Sequence, residues 1–115
     1  MEEKDFEKIV TARHVLQHIW DIHCKRTKEW DDLSMALSIA LDILYKKRRK
    51  HGSYEALRSI SSIQKIITVL NFVKFDSLSN GDEESARRIG NHIECLECAV
   101  GMISRYKKKR EDEWG

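Results

Sequence analysis

The sequence predicts an all-α fold, a four-helix bundle running up-down-up-down, and three observations carry that reading. Proline is absent and glycine occurs only five times, which leaves little turn chemistry for a β architecture. Apolar residues recur at helical spacing over four long stretches, with polar breaks between them. A chain of 115 residues has enough length for one core, so residues 1–115 are read as a single helical domain.

The first helix is expected over residues 5–26. Phe6, Ile9, Ala12, Leu16, Ile19 and Trp20 share one face, with Arg13 and His23 at its edge. Asp5 is placed to cap it, and Lys25 and Arg26 suit the negative end of its dipole. The second, over residues 31–50, is apolar around almost its whole circumference. Only Ser34, Ser38 and Asp42 leave a thin polar stripe. Such a helix is normally buried on all sides, and a small bundle covers one side of each helix, so a further partner surface is expected here.

The third helix is expected over residues 53–78. Ala56, Ile60, Ile63, Ile67, Leu70 and Val73 form its core stripe, while Val69 and Phe72 add apolar surface on the far side. The β-branched run Ile66–Val73 could suit a strand, but the longer helical period outweighs it. The fourth, over residues 82–113, follows the turn signal Ser79-Asn80-Gly81. Its core stripe is Ala86, Ile89, Ile93, Leu96, Val100 and Ile103. Cys95, Cys98, Ala99, Met102 and Tyr106 make a second stripe opposite. Gly90, followed by Asn91 and Glu94 in a cap-like pattern, marks a candidate break in that helix.

Composition narrows the functional classes. The 41% apolar and 35% charged fractions fit a globular chain rather than a disordered one. The 21 basic and 19 acidic residues nearly balance, which argues against a dedicated polyanion binder. Three cysteines and a charged, non-apolar start fit a reducing, cytoplasmic setting, and no run approaches the roughly 18 apolar residues of a membrane span.

Surplus apolar surface is the strongest candidate site. Met35, Ile39, Val69, Phe72, Cys98, Met102 and Tyr106 are expected to bind a partner, either a second copy in a homodimer or a larger protein. Two basic clusters, Lys46, Lys47, Arg48, Arg49 and Lys50, and Lys107, Lys108, Lys109 and Arg110, are the alternative, a nucleic-acid surface with Tyr45, Tyr54 and Tyr106 nearby for stacking. Both runs also sit where helix ends favour cations. In the up-down course the two clusters fall at one pole and merge.

His14, His18 and Asp21 have metal-compatible spacing, but they read as surface residues, and no metal or cofactor is expected. Cys95 and Cys98 form a lone C-x-x-C in mid-helix and read as small buried hydrophobes.

Arg87-Arg-Ile-Gly-Asn-His92 is similar to the R-x4-6-H motif of HEPN domains, which are all-α and usually dimeric. The resemblance covers these six residues and the fold class. It implies a metal-independent RNase in which Arg87 and His92 meet across a dimer cleft. Arg88 departs from the Asn, Asp or His usual at that place. A continuous helix would also set Arg87 and His92 about 140° apart, so the motif requires a break at Gly90. The leading expectation is therefore a non-catalytic protein acting by protein–protein association, as an adaptor, immunity factor or inhibitor.

Overall fold

The computed structural model describes residues 3–27 and 31–114. Within them lie four helices and no strand: α1 (Glu3–Thr27), α2 (Asp32–Leu44), α3 (Ser53–Ser79) and α4 (Glu83–Trp114). The expected link between the first two helices falls largely outside the described residues. No helix is long and apolar enough to cross a membrane among those described.

All four helices contribute to one apolar cluster. Ile9, Ala12 and Leu16 of α1 meet Leu37, Ala40, Leu41 and Leu44 of α2, Ala56, Ile60 and Ile63 of α3, and Leu96, Ala99 and Ile103 of α4. Leu16, Leu37, Leu44, Ile63, Leu96 and Ile103 are wholly shielded from solvent, so truncating any one to Ala costs about 2–5 kcal/mol. Every buried side-chain nitrogen and oxygen among the described residues has a hydrogen-bond partner.

The starts of α2, α3 and α4 each have a local cause. Asp31 caps α2, its carboxylate accepting from the Ser34 backbone N–H and hydroxyl, both at 2.9 Å. Glu55 reaches back to the Gly52 N–H at the start of α3. Asp82 accepts from the Ser85 N–H at 3.1 Å and starts α4. Lys74 of α3 lies across Gly90 of α4, so close that a Cβ there would stand 3.2 Å from its Nζ. Glycine in mid-helix is the space for that crossing, and α4 continues through it unbroken. The break considered for Gly90 is absent.

The main departure from expectation is α2, which stops at Leu44 instead of Lys50. Its end is a Schellman turn: Lys46 N–H donates to Ile43 O at 3.1 Å and Lys47 N–H to Asp42 O at 3.0 Å. Lys46 takes the left-handed position of that turn, at φ +53°. Arg13 of α1 donates through Nε to Leu44 O at 3.0 Å and lies 4.7 Å over the Tyr45 ring. The last carbonyls of α2 are thus satisfied from outside the helix, and the five following cations do not have to stack on one another.

A second correction concerns which surfaces are surplus. α2 packs against α1, α3 and α4 alike, so its all-round apolar character is satisfied within the chain. Ile39 is 5% exposed and belongs to the core, and Met35, at 37%, is the exception at the rim. The second stripe of α4 is also covered: Cys95 and Ala99 are buried, and Cys98, Met102 and Tyr106 are partly buried against the same core. Conversely, Phe6 and Val73, both expected inside, are exposed.

What stays uncovered is the outer side of the far half of α3, while Ile66, Ile67 and Leu70 are partly buried against the core. No residue of α3 after Ile63 is buried. The molecule is accordingly flat, about 50 × 38 × 19 Å, with a radius of gyration of 14.9 Å. A compact chain of this length would have roughly 13 Å.

The Lys46 backbone gives a direct test. Lys46→Gly removes the left-handed penalty of a side chain and is expected to raise stability by about 1 kcal/mol, read as a higher urea midpoint at unchanged slope.

Candidate functional site

The exposed apolar residues of α3 fall in two groups, Tyr54 and Leu57 near its start and Val69, Phe72 and Phe75 in its far half, with exposed Ser61, Gln64, Lys65 and Thr68 between them. Tyr54, Leu57, Val69, Phe72, Phe75 and Leu78 are each 46–73% exposed, with Tyr54, Phe72 and Phe75 above two thirds. Tyr54, Leu57, Phe72 and Phe75 lie within about 60° of one another around the axis, turned away from buried Ala56 and Ile63. Single exposed apolar residues are ordinary, whereas Val69, Phe72 and Phe75 clustered within about 9 Å of helix are a surface feature.

Beside these residues runs a groove of about 750 Å³ between α1, α2 and α3. Ile19, Leu33, Ala36, Ile66 and Leu70 make its apolar floor, and Val69 and Leu57 form part of its edge. Its polar rim is Asp32, Arg58 and Lys65. Arg58 pairs with Asp32 at 3.0 Å, while Lys65 has no ion-pair partner among the described residues. Further along, Thr68, Asn71, Phe72 and Phe75 border a shallower depression of about 480 Å³.

A second region is basic. The chain leaving α2 carries Lys46, Lys47, Arg48, Arg49 and Lys50, all exposed. Together with Lys109 of α4 they surround a cavity of about 560 Å³ floored by Ile43, Met102 and Tyr106. The two basic clusters, separate in sequence, therefore share one pole. Within it Lys47 pairs with Asp42, Lys107 with Glu111 and Arg110 with Glu113. Lys46, Arg48, Arg49, Lys50, Lys108 and Lys109 are in no ion pair among the described residues. Of the three tyrosines expected to stack, Tyr54 is open, Tyr45 is exposed with Arg13 over one side of its ring, and Tyr106 is committed elsewhere.

Tyr106 is committed to His51, a residue the sequence reading did not single out. His51 is 3% exposed. Its Nδ1 lies 2.8 Å from Glu55 and its Nε2 lies 3.0 Å from Asp42. Its backbone N–H donates to Tyr106 Oη, and its carbonyl accepts from Tyr106 Oη and from Arg110 Nε. One residue thus ties the basic segment to α2, α3 and α4. The i, i+4 spacing of His51 and Glu55 was the available signal, while Asp42 read merely as part of a polar stripe.

Other candidates do not assemble. Arg87 sits exposed with Glu84, Arg88 and Asn91 around a small depression that His92 does not line. The unbroken α4 keeps the two about 140° apart within one chain. His14, His18 and Asp21 are exposed, Asp21 accepting from Gln17, and no group of three metal-ligating residues occurs among those described. Burial pushes the thiols of Cys95 and Cys98 up, which keeps them protonated and poor nucleophiles.

Two carboxylates record the local electrostatics. Hydrogen bonds from the Ser34 backbone and from His23, whose Nε2 is 2.7 Å away, hold Asp31 down at about 2. His51 holds Glu55 below the usual carboxylate range. Both folded values are depressed, so the stabilisation is complete above the unfolded values, 3.8 and 4.5, and is lost as pH falls through the folded ones. Stability is expected to decline as pH falls below about 4.5. His51→Ala should cost about 2–3 kcal/mol at neutral pH and remove the Glu55 part of the acid dependence. Urea titrations at pH 7 and pH 4 on both proteins read the two effects.

Comparison with protein-family models, curated proteins and solved structures returned no match.

Proposed function

We propose that this protein acts without catalysis, by protein–protein association of the adaptor, immunity or inhibitor type, and that it presents the outward face of α3. The observation that carries this is the exposure of Val69, Phe72 and Phe75, at 59, 73 and 70%, on a helix otherwise fixed in the fold. Burying one such side chain contributes about 1.5–3 kcal/mol. A handful of them, on a preformed helix that loses little entropy on docking, is enough for a specific interface. The groove beside them offers a recess for a partner's side chain. We take the helices to run up-down-up-down and the resting compartment to be reducing, a reading supported by three free cysteines.

Light scattering on purified protein tests the reading. Association predicts a mass above the 13.5 kDa protomer, or a stoichiometric co-purifying protein. Phe72→Asp with Phe75→Asp should abolish either, with helicity unchanged because both side chains are already in water. A protomer mass up to about 1 mM with no co-purifying partner would overturn it.

A second reading rests on the merged basic pole, which offers six cations free of ion pairs for phosphate contacts. Fluorescence anisotropy with a single-stranded RNA should then show affinity that falls steeply with salt. Replacing Arg48, Arg49 and Lys50 by Ala should lower the salt slope by about 2. Absent or salt-insensitive binding rejects this reading.

A further inference from the structure

The exposed face of α3 has an internal symmetry of spacing and charge. Lys65, Val69, Phe72 and Asp76 follow one another at intervals of 4, 3 and 4 residues, which reads the same in both directions. All four are exposed. Lys65 and Asp76 are eleven residues apart, about three turns, so they stand within about 20° on the same side of the helix. The end members are opposite in charge and the middle members are apolar. Neither Lys65 nor Asp76 has a side-chain ion-pair partner among the described residues.

From this we infer that the partner on α3 is a second copy of the chain, docked antiparallel about a two-fold axis between Leu70 and Asn71. The inference rests on the association reading above and gives that interface its occupant and register. Under such an axis a residue meets the one whose number completes the same sum. Lys65 meets the partner's Asp76, and Val69 meets the partner's Phe72. Each contact occurs twice, as an isologous interface requires. A parallel pairing would instead set Lys65 against Lys65 and Asp76 against Asp76, with repulsion at both ends. The apolar pair at the centre supplies affinity, and the two ion pairs on either side select the orientation. Beyond Ile63 the outer side of α3 is unobstructed by buried packing, which leaves access for a facing helix.

Charge exchange tests the register. Lys65→Asp creates two acidic confrontations across the axis, and Asp76→Lys creates two basic ones. Each single variant should weaken self-association at least about tenfold at low salt. The double variant, Lys65→Asp with Asp76→Lys, should recover to within about threefold of the parent. An equimolar mixture of the two single variants should also recover, because each chain then faces opposite charge on its partner. Sedimentation equilibrium gives the dissociation constants, and circular dichroism checks that each variant is folded. A double variant no better than the singles, or singles equal to the parent, overturns the register. In that case a dimer still disrupted by Phe72→Asp leaves the association reading intact. A parent that is monomeric overturns the self-pairing, and the association reading then stands or falls on a co-purifying partner.

Discussion

The guanidinium of Arg13, set against the last carbonyl of α2 and the ring of Tyr45, fixes where α2 stops, and much of the molecule depends on that length. At thirteen residues α2 is about 20 Å long, while α3 spans about 40 Å and α4 about 48 Å. A short helix among long ones can be covered on every side, which is how α2 buries Leu37, Ala40 and Leu44 together with Ile39 and Ile43. The same mismatch leaves the outer side of the far half of α3 open, while its inner side packs on the core and on α4. An α2 extended to Lys50 would project six more residues, nearly all cationic, past the packing that satisfies them.

His51 resolves the consequence of that early stop. A chain leaving a buried helix through five consecutive cations has no apolar reason to return to the core. The return is made by polar bonds: the ring between Asp42 and Glu55, and the backbone held by Tyr106 and Arg110. Such a network is stabilising only while complete, since each member removed leaves another buried and unpaired. The basic segment is therefore held in place at one end by Arg13 and at the other by His51, although every cation in it faces water.

The periodic signal located α1, α3 and α4 to within a few residues because long amphipathic stretches dominate local preference, and the β-branched run Ile66–Val73 is helical as that period required. It missed the end of α2 because the C-terminal turn uses Lys46 where glycine usually signals it, and because Lys and Arg are good helix formers. Periodicity also reveals that a face is apolar without revealing what covers it. For that reason the second stripe of α4 and the full circumference of α2 read as surplus, although the chain covers most of both. Val69 and Phe72 were legible as outward-facing residues. Phe75 and Leu57 went unnoticed, although the i, i+3 spacing from Phe72 and from Tyr54 places each beside an outward-facing residue. Gly90 looked like a weak point, but its reason lies in another helix, at Lys74.

The Val69–Phe72–Phe75 cluster of α3 and the basic pole do not compete for space. His51 and the cations before it lie at the start of α3, whereas Phe72 lies some twenty residues along it, about 30 Å away. A pair joined on the Lys65–Asp76 register has its axis near Leu70. The start of α3 in each copy is then about 28 Å from the axis, on opposite sides, and the two basic poles stand roughly 55 Å apart at the outer ends of the dimer. That geometry keeps the like-charged poles several Debye lengths from each other at physiological salt, so assembly through α3 incurs little repulsion from them. It also leaves both poles open to solvent in the assembled state. Self-association and polyanion contact are thus compatible on one scaffold, and a dimer would present two equivalent cationic sites where the protomer presents one.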